Sequence, residues 1–234
     1  MSCAAAARFA ELAGTHVPGH GFFSCALSGG STPRRLYQLL GDESVSWDDI
    51  HLFQVDERCV PPDDAESNYR MIQEALLKKV GMPPGNFHRI TAEKEDRDAV
   101  AREYARDLAR MLKPPAGEFP RLNLVFLGMG GDGHTASLFP GSKALEENKL
   151  WVCPNFSPRL EKFRMTLTYP VLNAAEEVIF LVSGADKAET LRQVLEGPPG
   201  RFPAQGIKPV NGRLRWFVDD AAAKQLSQSS RSGA

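Results

Sequence analysis

Short apolar runs that stop at turn residues, separated by stretches with a helical stripe, constrain this chain more than any other feature. Residues 22–28 stop at Gly29-Gly30, residues 50–55 at Asp56-Glu57-Arg58, residues 122–127 at a glycine-rich loop and residues 178–182 at Ser183-Gly184. Each run is too short for a helix, rich in branched or aromatic residues, and closed by turn chemistry. Their near-continuous apolarity suits strands buried on both faces of a parallel sheet. Between them, Tyr69, Ile72, Leu76 and Val80 recur at helical spacing, as do Val100, Tyr104, Leu108 and Met111 within residues 98–112. Ala188, Leu191 and Leu195 do the same before Gly197 and Pro198-Pro199 end the pattern. This alternation predicts an α/β fold: a doubly wound, mostly parallel, Rossmann-like sheet with helices on both faces. Residues 163–168 differ, because Phe163, Met165 and Leu167 alternate with Arg164, Thr166 and Thr168. That is the period of a half-exposed strand, on which Arg164 reads as a solvated surface arginine. The Pro/Gly-rich stretch 197–203 comes too late to separate two domains. One domain over residues 1–234 is expected, with part of a helix in residues 1–20 and a polar tail over residues 227–234.

The formal charge of −1 gives no general affinity for nucleic acid or an anionic membrane, so any positive charge used in binding has to be local. No basic leader precedes a long apolar segment, and no apolar run reaches membrane length, which makes the cytosol the expected compartment. Cys3, Cys25, Cys59 and Cys153 are scattered, without a CxxC or Cys/His cluster. Cys25 reads as a buried reduced thiol, and Cys59 as a small core residue before a reactive one. A small-molecule partner and a monomer or weak homodimer are expected.

In open α/β sheets, ligands sit beyond the carboxyl ends of the strands. Here those ends are Ser28-Gly29-Gly30-Ser31-Thr32-Pro33, Asp56-Glu57-Arg58, Gly128-Met129-Gly130-Gly131-Asp132-Gly133-His134, and Ser183-Gly184-Ala185-Asp186-Lys187. Their convergence on one edge carries more weight than any single motif. In the first loop, Gly29 and Gly30 let the backbone approach an anion, and free N–H groups at a helix start point toward it. Ser31 and Thr32 add hydroxyl donors, but the loop has neither the Gly-Lys-Ser/Thr ending of a Walker loop nor GxGxxG. Lys187 opens a helix, where a cation conflicts with the helix dipole unless an anion is bound. Arg58 has the paired N–H geometry for phosphate, and it equally suits neutralising Asp56 or Glu57. An imidazole suits a general base, which makes His134 the candidate for proton transfer, with Asp132 placed to orient or stabilise the ring. By local pattern alone such a histidine is more often structural. His16, His20, His51 and His88 form no metal-ligand spacing with it, so no metal or other cofactor is expected. No serine or cysteine nucleophile stands in a GxSxG elbow, which favours water activated directly by a base.

Taken together, the strand-end loops with Ser67-Asn68-Tyr69-Arg70, the continuation Thr135-Ala136-Ser137-Leu138-Phe139-Pro140, Arg164 with Thr166-Leu167-Thr168, and Gly184 with Lys187-Ala188-Glu189 resemble the 6-phosphogluconolactonase family. That family is part of a larger group that includes glucosamine-6-phosphate deaminase, and the similarity runs in order from about Phe22 to Ala222. The resemblance implies hydrolysis of 6-phospho-D-glucono-1,5-lactone to 6-phosphogluconate in the pentose phosphate pathway. It implies His134 as the base that activates water, with Asp132 supporting it. It places Gly29, Gly30, Ser31, Thr32, Asp56, Arg58, Gly133 and Lys187 around the substrate, with Asn68 and Arg164 lining the site. It thereby moves Arg164 from the surface to a ligand contact, and leaves open which of Arg58, Arg164 and Lys187 meets phosphate. Two departures stand out. The stretch before the first strand is short for the family, which predicts apolar surface left less covered. Gly131 also stands where many lactonases carry proline, which should loosen the loop. The deaminase reading is disfavoured because that group continues Ile-Ala-Phe-Asn-Glu-Pro after the Gly-Asp-Gly-His core and carries tyrosine where Arg58 stands. A non-catalytic sugar-phosphate sensor would need a spare DNA-binding segment, for which this chain has no room.

Overall fold

The computed structural model describes residues 1–157 and 161–232. Six parallel strands form the main sheet: β1 (Phe23–Leu27), β2 (Ile50–Gln54), β4 (Phe87–His88), β5 (Leu124–Gly128), β8 (Glu177–Val182) and β9 (Arg213–Val218). Their order is β4-β2-β1-β5-β8-β9, so the chain winds outward from β1 in one direction, then returns to start β5 on the other side. The crevice between β1 and β5 is therefore the topological switch point of a doubly wound sheet. The expected fold and the runs that nominated four of its strands agree with this arrangement. The two edge strands were not anticipated: β4 is too short to show a period, and Arg213, Leu214 and Arg215 of β9 are exposed.

Alternation along the strands sends side chains to two separate cores. Cys25, Leu27, Leu52, Phe126 and Ile179 pack on one face with Leu36 and Tyr37 of α2 (Ser31–Leu40) and Ile72 of α3 (Asn68–Ile72). Ala26, Phe53, Val125, Leu127 and Phe180 pack on the other. There they meet Val100, Tyr104 and Leu108 of α4 (Arg97–Leu112), Val171 and Leu172 of α5 (Tyr169–Ala174), and Leu191 and Val194 of α6 (Ala188–Glu196). The helical stripe that begins at Tyr69 does not continue as an α-helix. After Ile72 it loosens into a π-turn, Gln73–Leu77.

The N-terminal segment corrects one expectation. α1 (Ser2–His20) is a full helix that buries Ala5, Ala6, Phe9 and Ala13 against the first core, so the surface expected to be less covered is closed. Its Arg8 forms a forked ion pair with Glu177 at 3.0 and 2.6 Å, and Glu177 also accepts from Arg215 at 2.9 Å, which ties α1 to β8 and β9. The segment expected as a polar tail contains a short helix, α7 (Gln228–Ser232); residues 233 and 234 lie outside the described residues.

A second, antiparallel sheet, β3-β7-β6, leans over the carboxyl edge of the first. Its strands are β3 (Asp56–Arg58), β6 (Val152–Ser157) and β7 (Lys162–Leu167). Asp56-Glu57-Arg58 is thus not merely a strand end: the chain leaves β2 and at once enters a new sheet. Strand β7 is exposed at Lys162 and Phe163 and buried on both faces from Arg164 onward, in place of the expected alternation. Thr166 and Thr168 are fully buried, and Arg164 is only 5% exposed: Ser137 N–H donates to Thr166 Oγ1 and Thr168 Oγ1 donates to Leu150 O, so loops from elsewhere in the chain meet the face that the alternation marked as polar.

Candidate active site

A cleft of about 320 Å³ opens at the switch point. Its walls come from the loops after β1 and β5, from β3, from the start of α3, from β7 and from the start of α6, and it is lined by Gly29, Gly30, Ser31, Thr32, Asp56, Arg58, Asn68, Gly130, His134, Ser137, Arg164 and Lys187, among others. Most of the expected site residues are therefore brought together. Two are not on its wall. Asp132 stands behind His134, and Gly133 is buried under Phe202, where a Cβ would lie 2.4 Å from the ring. Gly133 also adopts φ 74°, a left-handed turn that glycine takes without penalty. Its role is to fold the loop, and its carbonyl accepts from Ala204 N–H at 2.9 Å.

The loop after β5 is built to present one imidazole. Gly133 N–H donates to Gly130 O at 3.0 Å, Gly130 N–H to His134 O at 2.9 Å, and Thr135 Oγ1 to Gly128 O at 2.8 Å. His134 Nδ1 meets Asp132 Oδ1 at 2.5 Å, and the same oxygen accepts from His134 N–H at 3.2 Å. An ionised carboxylate only accepts, so the ring proton sits on Nδ1 and the Nε2 lone pair is left free. Burial raises the Asp132 pKa, but the charge and hydrogen bonds of His134 outweigh it and bring the net value below its usual range. Asp132 is thus held ionised, and its carboxylate favours the tautomer with the proton on Nδ1. A Cβ on Gly130 would lie 2.1 Å from His134 Nδ1, so this glycine makes room for the ring. Gly128, Gly130 and Gly133 stand at the spacing of a dinucleotide fingerprint, yet no helix follows. A bridge between Thr135 and Leu138 takes its place, and the helix N-terminus that would receive a pyrophosphate is missing. Gly131, where looseness was expected, is tethered through its carbonyl to Thr190 Oγ1 at 2.8 Å.

On the facing wall the carboxylates separate into distinct tasks. Glu57 is buried and turned away from the cleft. It accepts from Arg58, Asn68 and Tyr69 N–H and from Gln54 Nε2 at 2.7 to 2.8 Å, which holds the start of α3 in place. Asp56 lines the cleft, accepts from Ser137 Oγ at 2.6 Å and from Asn68 Nδ2 at 3.4 Å, and so joins β3 to the loop after β5. Ser137 is in turn held by Asn155 Nδ2 at 2.7 Å through its carbonyl. Sequence reasoning missed Ser137 and Asn155 as site supports: Ser137 stood out only as part of the Thr135-to-Pro140 run, and Asn155, between Pro154 and Phe156, carried no signal. Asn68 itself fits only because Gly29 has no side chain: a Cβ there would lie 1.7 Å from Asn68 Oδ1.

Positive charge gathers opposite the histidine. Arg58 and Arg164 face each other directly across β3 and β7. Arg58 neutralises neither Asp56 nor Glu57 by direct ion pairing among the described residues, and its guanidinium donates instead to Glu66 O. The buried Arg164 donates to Phe163 O at 3.3 Å and has no carboxylate partner among the described residues. Burial, and then Arg58, lower its pKa. Lys187 pairs with the exposed Asp186 at 2.7 Å, and its ammonium lies beside Gly131. Ser31 and Thr32 open α2, whose N-cap Gly30 adopts φ 103°. Like charges placed directly across a ladder are unfavourable, so an anion bound between them would relieve a real cost. Among the described residues, no group of three or more His, Cys, Asp or Glu is placed to hold a metal ion, and no helix is long and apolar enough to cross a membrane.

In sequence and in fold the chain is similar to known proteins. A 6-phosphogluconolactonase of Nostoc sp. is 40% identical over 216 residues, covering 91% of this chain and 88% of its own. One of Synechocystis sp. is 39% identical over 203 residues, covering 86% and 83%. The solved structure of 6-phosphogluconolactonase from Trypanosoma cruzi superposes with a TM-score of 0.85 at 30% identity, covering 97% of this chain and 92% of that one. The family described as glucosamine-6-phosphate isomerases/6-phosphogluconolactonase matches residues 1–216, and this chain belongs to it.

Proposed function

We propose that this protein hydrolyses 6-phospho-D-glucono-1,5-lactone to 6-phospho-D-gluconate, as one catalytic domain. The observation that carries the reading is the Asp132–His134 pair facing, across one cleft, an arginine pair without a carboxylate partner. Arg58, Arg164 and Lys187 hold the phosphate, helped by the hydroxyls of Ser31 and Thr32 and by the N–H groups at the start of α2. The lactone carbonyl then lies toward His134. Nε2 takes a proton from water as the water oxygen attacks the carbonyl carbon, and Asp132 steadies the imidazolium that forms. Collapse of the tetrahedral intermediate breaks the ring C–O bond, and His134 returns its proton to the departing ring oxygen. Asp56 and Asn68 face the sugar hydroxyls; Glu57 works only through the backbone it holds.

Glucosamine 6-phosphate is the discriminating control. Purified protein is expected to accelerate lactone opening above the spontaneous rate and to leave glucosamine 6-phosphate unchanged. Deamination of the amino sugar without lactone hydrolysis overturns the assignment.

A further inference from the structure

Arg58 and Arg164 border two cavities. Besides the cleft that holds His134, they line a second one of about 270 Å³, whose remaining walls among the described residues are Lys162 and Glu66. Neither Lys162 nor Glu66 lines the cleft, and neither His134 nor Lys187 lines the second cavity. Among the described residues, three cations and one carboxylate leave a surplus of positive charge there. Glu66 is already engaged by Lys162 at 2.7 and 2.9 Å, and both side chains are about half exposed. An ion pair that exposed holds its partners weakly, so Lys162 is free to turn to a stronger anion. Arg164 supplies the buried part: it is 5% exposed, stands opposite another arginine, and donates to the Phe163 backbone carbonyl at 3.3 Å.

We propose that this second cavity is an anion-binding site in its own right, taking a tetrahedral dianion on Arg58, Arg164 and Lys162. The ligand class is inorganic phosphate or the phosphomonoester end of a small metabolite. Because the two cavities share two guanidinium groups, filling one weakens anion binding in the other. The site thus lets free phosphate lower the enzyme's hold on its substrate without entering the cleft.

Calorimetric titration of the full chain at low ionic strength, with inorganic phosphate and in parallel with glycerol 3-phosphate, tests this. Wild type is expected to show two binding events. Lys162→Ala should weaken one about tenfold, the loss of a single charge-assisted contact, and leave the other within about twofold. Glu66→Gln, which removes the competing carboxylate, should tighten that same event, whereas Lys187→Ala should weaken only the other. Binding of both ligands at the Lys162-dependent event assigns it to phosphomonoesters, and binding of phosphate alone assigns it to the free ion. A single event in wild type overturns the proposal, as do two events that Lys162→Ala and Glu66→Gln both leave unchanged. The readout is binding, so failure to hydrolyse the lactone would sink the proposed function and leave this site standing.

Discussion

Gly130→Ala separates catalysis from stability by geometry alone. The added methyl would lie 2.1 Å from His134 Nδ1, 2.2 Å from Cε1 and 2.8 Å from Asp132 Oδ1. Ordinary contact begins at 3.4 Å, so Cε1 has to retreat by 3.4 − 2.2, about 1.2 Å. A misplacement of about 1 Å in a reacting group costs on the order of 100-fold, or about 2.7 kcal/mol of barrier. The fold is barely touched, because Gly130 is not among the glycines with positive φ and alanine meets no backbone strain there. What folding loses is the His134–Asp132 hydrogen bond, with both side chains about one-third exposed, worth at most about 1 kcal/mol after solvent screening. Initial rates of lactone opening, with the spontaneous reaction subtracted, should therefore show kcat reduced on the order of 100-fold, while thermal unfolding shifts by only a few degrees. A variant with kcat within about threefold of wild type would refute the reasoning that His134, in this position, is the base.

Arg164→Lys should raise KM on the order of tenfold with kcat largely kept, because a point charge replaces a fixed fork; steady-state kinetics on the lactone checks this. Glu57→Ala leaves the N–H groups of Arg58, Asn68 and Tyr69 without their acceptor in a buried place, and should cost about 3 kcal/mol or more, read as a lower denaturant midpoint. His88 bonds to His51 at 3.1 Å and stacks on Phe53 at 4.2 Å, and burial pushes its pKa down to about 4. A base whose folded pKa is depressed binds more protons when unfolded, so stability rises with pH between about 4 and 6.5 and is lost as pH falls through that window. His88→Phe should flatten this slope in denaturant titrations taken across that range.

The sheet was legible because strands buried on both faces carry an unbroken apolar signal, as in Val178 to Val182, and the loops that end them carry glycine. The same logic placed the cleft, since Ser31, His134 and Lys187 each follow a strand whose carboxyl end lies on one edge. What periodicity could not show was cover supplied from far away in sequence. Arg164 alternates like a surface residue, yet it is buried in the wall of the cleft, opposite Arg58 of β3. The family resemblance placed Gly133 around the substrate, whereas Phe202, well along the chain, packs against it. Asp56, Glu57 and Asp132 are equivalent as letters. Only their hydrogen-bond partners tell the helix anchor from the strand-to-loop tie and from the carboxylate that orients the imidazole.

The most direct test of the site is His134→Ala. Lactone turnover is expected to fall by about 100-fold to 10,000-fold, while 6-phosphogluconate still binds within a few-fold of wild type, because the arginine pair and Lys187 are untouched. Turnover equal to wild type in this variant, with the product still bound, would contradict the assignment of His134 as the base.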